Sequence, residues 1–440
     1  MKNTWKRAAL ATAAAAALIL SGCSSPGTGT GGNTGAPAEW PAQTAKLNGV
    51  TLTIWAAQSS NKSADSVIAG FEKATGATVK VVTIPDPYEQ GVQTKVATGD
   101  KPDLAFWQPT ASMLTALNAT TNLQSLEGAP WVDNYTGDLK NMTGLLDGKR
   151  YAALMTSPAV EGVYYNKEVF AKAGITSTPK SWEDLLATAR ELKQKDVTPF
   201  YEMGKDKWAT QWWVGVQLAD AAKAGLWDRV NKNQEKFTDP TILNTIKNYK
   251  SLIDEGLFNA NIKTATFEDQ GAALLKGDAA MVVQVNSFFG QLQSLSNTSE
   301  LNQKIGFFPI SPKGNVGTFI PDQSNALVAF KTADSKREAA ARQLLSYWMG
   351  GGYKTFVNDQ KTVSLETGVE SPSAVPQALL DVAASLNNSV GSMQALAVAN
   401  PDLYLNLADM IQGTKTPDEV SKATQDQFAQ LAKAQGVTGF

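Results

Sequence analysis

The feature that most restricts the fold of this chain is a regular alternation of strand and helix patterns between residues 50 and 107. Residues 50–56, 79–84 and 103–107 are short, apolar and partly β-branched, which is typical of buried strands. Residues 63–74 and 88–97 carry apolar side chains at helical spacing. Such alternation predicts an α/β fold, in which a mainly parallel sheet has helices on its faces.

The same alternation continues towards the C-terminus and predicts a second body. Helix starts are indicated by Ser181 with Asp184, by Asp239-Pro240, and by Thr416 with Glu419, since these are capping patterns. Further strands are predicted at residues 151–154, 162–165, 279–285, 305–310 and 325–330, and further helices at residues 266–276 and 337–349. The roughly 400 residues from Trp40 onward suffice for two domains.

Residues 1–22 have the pattern of a lipoprotein signal peptide. Lys2, Lys6 and Arg7 give a positive start, and residues 8–20 form an apolar, alanine-rich run. This run is shorter than the roughly 20 residues that span a membrane. The sequence LSGC at residues 20–23 places small residues before a cysteine, as cleavage and lipidation require. We therefore expect a mature protein that begins at Cys23.

Cys23 is the single cysteine of the chain. A lone thiol cannot form an internal disulfide, so a lipid anchor explains why an exported protein has one. Two acyl chains, such as palmitate with diacylglycerol, hold a protein stably on a membrane. Residues 23–39 are rich in Gly, Ser, Thr and Pro, which predicts a flexible, lipid-anchored linker. The expected location is the cell membrane, on its outer, extracytoplasmic face.

The composition excludes several classes of function. The formal net charge is −2 and no basic patch is found, which argues against nucleic acid as a partner. The chain has no histidine, so Ser-His-Asp and Cys-His catalysis and histidine-ligated metal sites are excluded. Catalysis by carboxylates alone, as in glycosidases, remains open. We expect no cofactor and no metal.

Four stretches, in this order, carry a resemblance to a known family. They are residues 52–82 (LTIWAAQ followed by FEKATGATVKVV), 96–108 (VATGDKPDLAFWQ), 162–193 (GVYYNKEVFAKAGITSTPKSWEDLLATARELK) and 267–284 (FEDQGAALLKGDAAMVVQ). They resemble the extracellular solute-binding proteins (family 1) of carbohydrate ABC importers, the family that includes maltose-binding protein.

The resemblance implies the two-lobed periplasmic-binding-protein type II fold. In this fold each lobe is a mainly parallel sheet flanked by helices, and hinge crossover strands join the lobes. By analogy, lobe 1 would comprise residues 40–157 plus 322–370, and lobe 2 would comprise residues 158–321 plus 371–440. The chain would cross near Ser157, Pro321 and Glu370.

The resemblance also implies a function. The protein would be a monomeric, non-enzymatic component that captures a sugar between its lobes. It would deliver the sugar to the transmembrane subunits of an ABC permease.

Candidate ligand contacts in lobe 1 follow from a general rule. Ligands of open α/β sheets bind beyond the carboxyl ends of the strands. Gln58 and Ser59 follow the first predicted strand, and Trp107 and Gln108 end the third. Sugars stack on aromatic rings and hydrogen-bond to amides, hydroxyls and carboxylates, and both loops offer such groups.

Candidate contacts in lobe 2 rest on the resemblance. Trp208 and Trp212 lie four residues apart and can share a helical face. The other candidates are Asn286, Phe288, Asp402 and Tyr404 in lobe 2, and Asp322 at the returning crossover. The number of aromatic candidates favours a di- or oligosaccharide over a monosaccharide. No arginine is evident in these loops, which argues against an acidic sugar and for a neutral one.

Several questions stay open from sequence. Glu161 departs in spacing from the family's acidic residue, so it is either a ligand contact or a solvated charge at the hinge. Adjacent tyrosines at 164 and 165 are compatible with a ferric-ion-binding protein of the same fold, although alternate residues of a strand point to opposite faces. A peptide or polyamine ligand also stays open, as does a carboxylate glycosidase.

Overall fold

The computed structural model describes residues 40–58, 60–85 and 87–440. The compact unit that contains them begins at Glu39. Within this described part, no helix is long and apolar enough to span a lipid bilayer. The predicted signal peptide, the lipidation site at Cys23, the linker and the candidate contact Ser59 lie outside the described residues.

Strands of the described residues form two main sheets and a small ribbon. The first sheet has the order β2-β1-β3-β12-β6, and the second has the order β13-β11-β7-β9-β8 with β10 also paired to β7. We call the bodies around these sheets lobe 1 and lobe 2. The strands are β1 (Thr51–Ala56), β2 (Thr78–Thr83), β3 (Leu104–Phe106), β4 (Leu145–Leu146), β5 (Lys149–Arg150), β6 (Ala152–Leu154), β7 (Ala159–Asn166), β8 (Thr198–Phe200), β9 (Ala279–Gln284), β10 (Ile305–Phe308), β11 (Gly317–Ile320), β12 (Ala326–Ala329) and β13 (Ser389–Gly391).

Helices flank both sheets. Those in the described residues are α1 (Asp65–Thr75), α2 (Tyr88–Ala97), α3 (Ala111–Ala116), α4 (Ala119–Asn122), α5 (Leu139–Met142), α6 (Lys167–Lys172), α7 (Trp182–Gln194), α8 (Trp212–Lys223), α9 (Leu226–Asn231), α10 (Pro240–Asp254), α11 (Phe267–Lys276), α12 (Phe288–Leu295), α13 (Thr298–Lys304), α14 (Ser335–Trp348), α15 (Tyr353–Gln360), α16 (Gln377–Ser385), α17 (Met393–Leu396), α18 (Leu403–Gln412) and α19 (Pro417–Ala434). The α/β fold with two mainly parallel sheets is confirmed.

One strand in each sheet runs against its neighbours. In lobe 1, β1, β2 and β3 are parallel, whereas β12 is antiparallel to both β3 and β6. In lobe 2, β7 is antiparallel to β9, β10 and β11. Both exceptional strands, β7 and β12, are the first strands after the chain has passed from one lobe to the other.

Helix α1 shows how the sequence produces the packing in lobe 1. Val67, Ile68 and Phe71 lie on one face of the helix and are buried, as their spacing predicts. The helix ends at Gly76, whose φ of 76° is in the left-handed region. Glycine is favoured there because it has no Cβ to clash with the following carbonyl.

The chain passes from lobe 1 to lobe 2 at residues 155–158 and returns at residues 321–325. Hydrogen bonds from Asn325 join these two passages. Its Nδ2 donates to Thr156 Oγ1 at 2.9 Å and to the Ser157 carbonyl at 3.0 Å. Its Oδ1 accepts from the backbone N–H of Asp322 at 2.5 Å. The amide of this buried side chain therefore fixes the outgoing passage against the returning one, at the floor of the gap between the lobes.

Candidate functional site

A cavity of about 710 Å³ lies between the two lobes. Its floor is made by both interlobe passages, and its walls come from the ends of helices in each lobe. The lining includes Thr156, Ser157, Ile320, Asp322, Gln323, Ser324 and Asn325 from the passages, Trp208, Trp212, Asn286, Ser287, Phe289, Gly290 and Gln293 from lobe 2, and Ser63, Phe106, Phe356, Gln360 and Lys361 from lobe 1.

Two tryptophans form the aromatic wall of this cavity. Trp208 begins a short 3-10 helix (Trp208–Gln211) that leads directly into α8, which starts at Trp212. The ring centroids of Trp208 and Trp212 are 6.3 Å apart, with an interplanar angle of 68°. Trp208 is half-buried, whereas Trp212 is 6% exposed. The Trp208 ring also packs on Phe267 at 5.3 Å, so the indole that reaches the cavity is supported by two other rings.

The backbone before Trp208 is held in an uncommon conformation. Lys207 has a φ of 66°, which is rare for a residue with a side chain. The turn is closed by a hydrogen bond of 2.7 Å from the Trp208 N–H to the Asp206 carbonyl. Such a conformation persists only when the surrounding contacts hold it, so the position of the Trp208 ring depends on its neighbours.

Helix α12 supplies a polar wall. Ser287, Gly290 and Gln293 are spaced three residues apart and face the cavity together. Asn286, just before the helix, accepts a 2.9 Å hydrogen bond from the Val160 N–H through its Oδ1. That bond ties the Asn286 side chain to the start of β7, next to the first passage.

Two charged residues are found among those that line the cavity, Asp322 and Lys361. The Asp322 carboxylate is exposed and accepts hydrogen bonds from the N–H and the Oγ of Ser324, at 2.9 and 2.8 Å. Lys361 ends α15 with a φ of 48°. Because these charges are opposite, the described residues of the lining carry no net charge, and their remaining polar side chains are hydroxyls and amides.

Four of the predicted contacts are brought together in this cavity. They are Trp208, Trp212, Asn286 and Asp322. They come from three separate regions of the sequence, so the fold is what assembles them.

Trp107 and Phe288 lie away from this cavity: both are fully buried and neither is among the residues that line it. The Trp107 indole donates a 2.9 Å hydrogen bond to the Met113 carbonyl, inside lobe 1. Phe288 packs against Tyr164 and Phe267. Its neighbour Phe289 reaches the cavity instead, since consecutive helical residues point about 100° apart.

The remaining predicted contacts also lie outside the lining of the cavity. Gln58 is exposed at the end of β1. Gln108 Nε2 donates to the Pro321 carbonyl at 2.6 Å and so supports the return passage. The Asp402 carboxylate accepts a 2.6 Å hydrogen bond from Gln427, and Tyr404 is half-buried in α18.

Sequence reasoning missed one wall of the cavity. Phe356 and Gln360 from α15, followed by Lys361, close it on the lobe 1 side, and Val382 from α16 faces it from lobe 2. These residues belong to no motif and follow no predicted strand. The spacing of Phe356 and Gln360 on one helical face was the single available signal.

A model of the bacterial extracellular solute-binding proteins matches residues 55–352 of the sequence. The chain belongs to this family.

Relatives of this solute-binding protein are distant. A binding protein of Brucella abortus (strain 2308) is 26% identical over 212 residues, which cover 44% of this chain and 46% of the relative. The chain thus spans about half the length of that relative. The diacetylchitobiose binding protein DasA of Streptomyces coelicolor is 24% identical over 328 residues, covering 70% of this chain and 71% of DasA.

Solved structures show that the two-lobed fold of this solute-binding protein is shared. The apo form of RafE from Streptococcus pneumoniae gives a TM-score of 0.70 at 20% identity, covering 90% of this chain and 100% of RafE. RafE in complex with raffinose gives a TM-score of 0.67 at 20% identity, covering 87% of this chain and 100% of that one.

Glu161 of the solute-binding protein occupies a separate site in lobe 2. It lines a cavity of about 20 Å³ against α8 and is 1% exposed, so it is neither a ligand contact in the interlobe cavity nor a solvated hinge charge. Its Oε2 has no hydrogen-bond partner among the described residues. Burial raises the pKa of this carboxyl well above its ordinary value. A Cβ at position 215 would overlap the carboxylate, which explains the glycine there.

The tyrosine pair considered as an iron ligand is divided between two faces of β7. Tyr164 is fully buried among Phe288, Phe289 and Phe307. Tyr165 packs on the opposite face, against Phe170 and Phe308. The two hydroxyls therefore do not converge on one site.

Proposed function

We propose that this solute-binding protein is the substrate-binding component of an ABC importer for a neutral sugar. It captures the sugar in the interlobe cavity and presents it to the membrane permease. The observation that carries the proposal is the composition of the cavity wall, where Trp208 and Trp212 face hydroxyl and amide groups without net charge.

This wall suits the two surfaces of a sugar. The C–H faces of a pyranose ring are apolar and stack on an indole, whereas the ring edge carries hydroxyls that act as donors and acceptors. Asn286, Gln293 and Gln360 offer side-chain amides that can do both, and Asp322 offers an acceptor. Support also comes from relatives, since DasA is named for diacetylchitobiose and RafE was solved with raffinose.

The size of the cavity favours a di- or oligosaccharide. Its volume of about 710 Å³ lies in the upper part of the roughly 300–1,000 Å³ of ligand sites for drug-sized molecules. A monosaccharide would leave much of this space to water.

We further propose that the lobes meet at the boundaries 157/158, 321/322 and 370/371. The passages described above, at residues 155–158 and 321–325, support the first two. Helix α15 packs on α1 of lobe 1, whereas α16 packs on β10 of lobe 2, which supports the third. The lipid anchor at Cys23, the extracytoplasmic location and the monomeric state belong to the same proposal.

A ligand screen tests the function. The purified protein is mixed with mono-, di- and oligosaccharides, and separately with peptides, polyamines and ferric citrate, and the midpoint of thermal unfolding is measured. A true ligand at 100 times its Kd should raise the free energy of unfolding by about 2.7 kcal/mol.

The ligand recovered from the mixture should be chemically unchanged, as expected of a binding protein. Stabilisation by a peptide, a polyamine or iron with no response to any sugar would overturn the carbohydrate proposal. Release of new reducing ends would indicate a glycosidase instead.

A further inference from the structure

A short arm of lobe 2 reaches across to lobe 1 beside the cavity. The arm, residues 389–397, consists of β13 and α17, and β13 is parallel to β11 in the lobe 2 sheet. Helix α17 contacts α3 of lobe 1, where Ala395 of the arm and Met113 of α3 pack on the same apolar cluster. The Trp107 indole holds α3 through the Met113 carbonyl.

Two glutamine side chains connect this arm to the tryptophan wall. Gln394 Nε2 donates to Gln211 Oε1 at 2.8 Å. Gln211 Nε2 in turn donates to the Trp208 carbonyl at 3.0 Å. The bonds follow one another in a single direction, from the arm to the residue whose ring faces the ligand cavity.

The acceptor of the second bond lies next to the uncommon backbone at Lys207. Because that conformation needs external support, the hydrogen bond to the Trp208 carbonyl is one of the contacts that hold the backbone carrying the ring. Neither glutamine lines the interlobe cavity, so neither is in a position to contact the ligand.

We infer that Gln394 and Gln211 are positioning residues that set the orientation of Trp208 according to the place of the arm between the lobes. The inference rests on the proposed function, since it concerns affinity for the ligand in the interlobe cavity. Loss of either hydrogen bond removes one of the contacts that hold the 3-10 helix, beside the bond from Thr210 Oγ1 to the Tyr404 carbonyl, and lowers the fraction of protein whose Trp208 ring is ready for stacking.

The test measures sugar affinity by calorimetry for Gln394→Ala, Gln211→Ala and the double variant, with a sugar identified in the screen. Each single variant should bind about fivefold more weakly, as expected for loss of one net hydrogen bond. Because both glutamines act through the same hydrogen-bonded path, the double variant should lose no more sugar affinity than the single variant with the larger loss. Gln412→Ala is the control, since Gln412 donates a similar 2.9 Å hydrogen bond to the Lys263 carbonyl elsewhere in lobe 2.

Gln394→Glu separates positioning from packing. The carboxylate keeps the shape of the side chain but donates no hydrogen bond, so Gln211 must turn its amide and lose its bond to Trp208. This variant should bind as weakly as Gln394→Ala at pH 7. Its affinity should recover relative to that of the unaltered protein as the pH falls and the carboxyl is protonated and donates again. Glu161, which lines the same small cavity as Gln211 and Gln394, is present in both proteins, so the comparison accounts for its titration.

Each outcome bears on one claim. Failure of the unaltered protein to bind any sugar would refute the proposed function. If the unaltered protein binds a sugar, and Gln394→Glu and Gln211→Ala bind it with the same affinity, the positioning role of the two glutamines is refuted and the proposed function is not. Additive losses in the double variant would do the same, and thermal unfolding of each variant shows whether its fold is intact.

Discussion

At the scale of single residues, Trp208 is the side chain on which ligand affinity should depend most. Replacing it by alanine removes the indole that reaches the cavity, and a desolvated stacking contact worth about 1.4 kcal/mol corresponds to a tenfold loss. We expect Trp208→Ala to weaken sugar binding by more than tenfold in calorimetry. The loss should be larger for an oligosaccharide than for its shortest bound fragment.

Trp40→Ala is the matched control for this substitution. Trp40 is also half-buried, but its ring packs on Trp131 at 4.9 Å, away from the cavity lining. Its loss should leave affinity unchanged. An equal effect of both substitutions would mean that the indole at position 208 has no special role in binding.

Glu202 makes stability depend on pH. It is fully buried in lobe 2, where it accepts hydrogen bonds from the Met203 N–H at 2.7 Å and the Tyr249 hydroxyl at 3.0 Å. Burial raises the pKa of this carboxyl from 4.5 to about 7. The folded state therefore binds more protons than the unfolded state between about pH 4.5 and 7, so stability falls as pH rises through this window.

Glu202→Gln should reduce this decline, which at most amounts to about 3 kcal/mol for one such group. The midpoint of thermal unfolding at pH 5.5 and 7.5 measures it. Part of the decline should remain, because burial raises the pKa of Glu366 to about 7 as well. Glu255→Gln is the control, since a hydrogen bond from Arg190 lowers the pKa of exposed Glu255. Persistence of the full decline in Glu202→Gln would contradict the prediction.

The residues of the candidate site were predictable where a simple rule applied. Trp208 and Trp212 followed from helical spacing and family position, and Asn286 from its place after a strand. Phe288 lies one position before the phenylalanine that lines the cavity, because the start of α12 decides which of the two adjacent rings faces it. The inward position of Trp107 was not predictable, because its indole donates a hydrogen bond to the Met113 carbonyl of α3, a helix that no sequence pattern revealed.

At the scale of elements, local patterns predicted much of the fold. Helix α2 has the predicted bounds, Tyr88–Ala97, and α11 begins one residue after its predicted start at Thr266. Elements without a local signal were missed, such as β13, which has three residues and is defined by its pairing with β11. Helix α8 was also missed, because its buried residues surround the helix and leave no periodic stripe.

The last helix, α19, should depend on its N-terminal cap. Thr416 Oγ1 accepts from the Glu419 N–H, while the Glu419 carboxylate accepts from the Thr416 N–H at 2.7 Å. Thr416→Ala should lower the free energy of unfolding by about 1 kcal/mol in urea denaturation. Thr355→Ala, at an exposed position inside α15, should not lower it, since alanine is the better helix former. Equal destabilisation by both substitutions would argue against the cap.

At the scale of the whole molecule, the N-terminal segment should decide where the protein is found. With Cys23→Ala, no acyl chains are attached, and the protein should move from the membrane fraction to the soluble fraction or the medium. Immunoblotting of fractionated cells measures the distribution. Lys46→Ala, within the folded unit, should leave the protein in the membrane fraction. Retention of the Cys23→Ala variant on membranes would show that another feature anchors the protein.

The position of β12 has a consequence for the order of folding. Ala326 of β12 lies opposite Leu154 of β6, and Leu327 lies opposite Phe106 of β3. The strand that joins these two halves of the lobe 1 sheet is therefore made only after the segment of lobe 2 that carries β7 to β11. While the chain leaves the ribosome or crosses a membrane from its N-terminus, β3 and β6 keep unpaired apolar edges, which favour aggregation. The first lobe to be synthesised is thus unable to finish folding until residue 329 has emerged, and a chain that stops at residue 320 would expose those edges permanently.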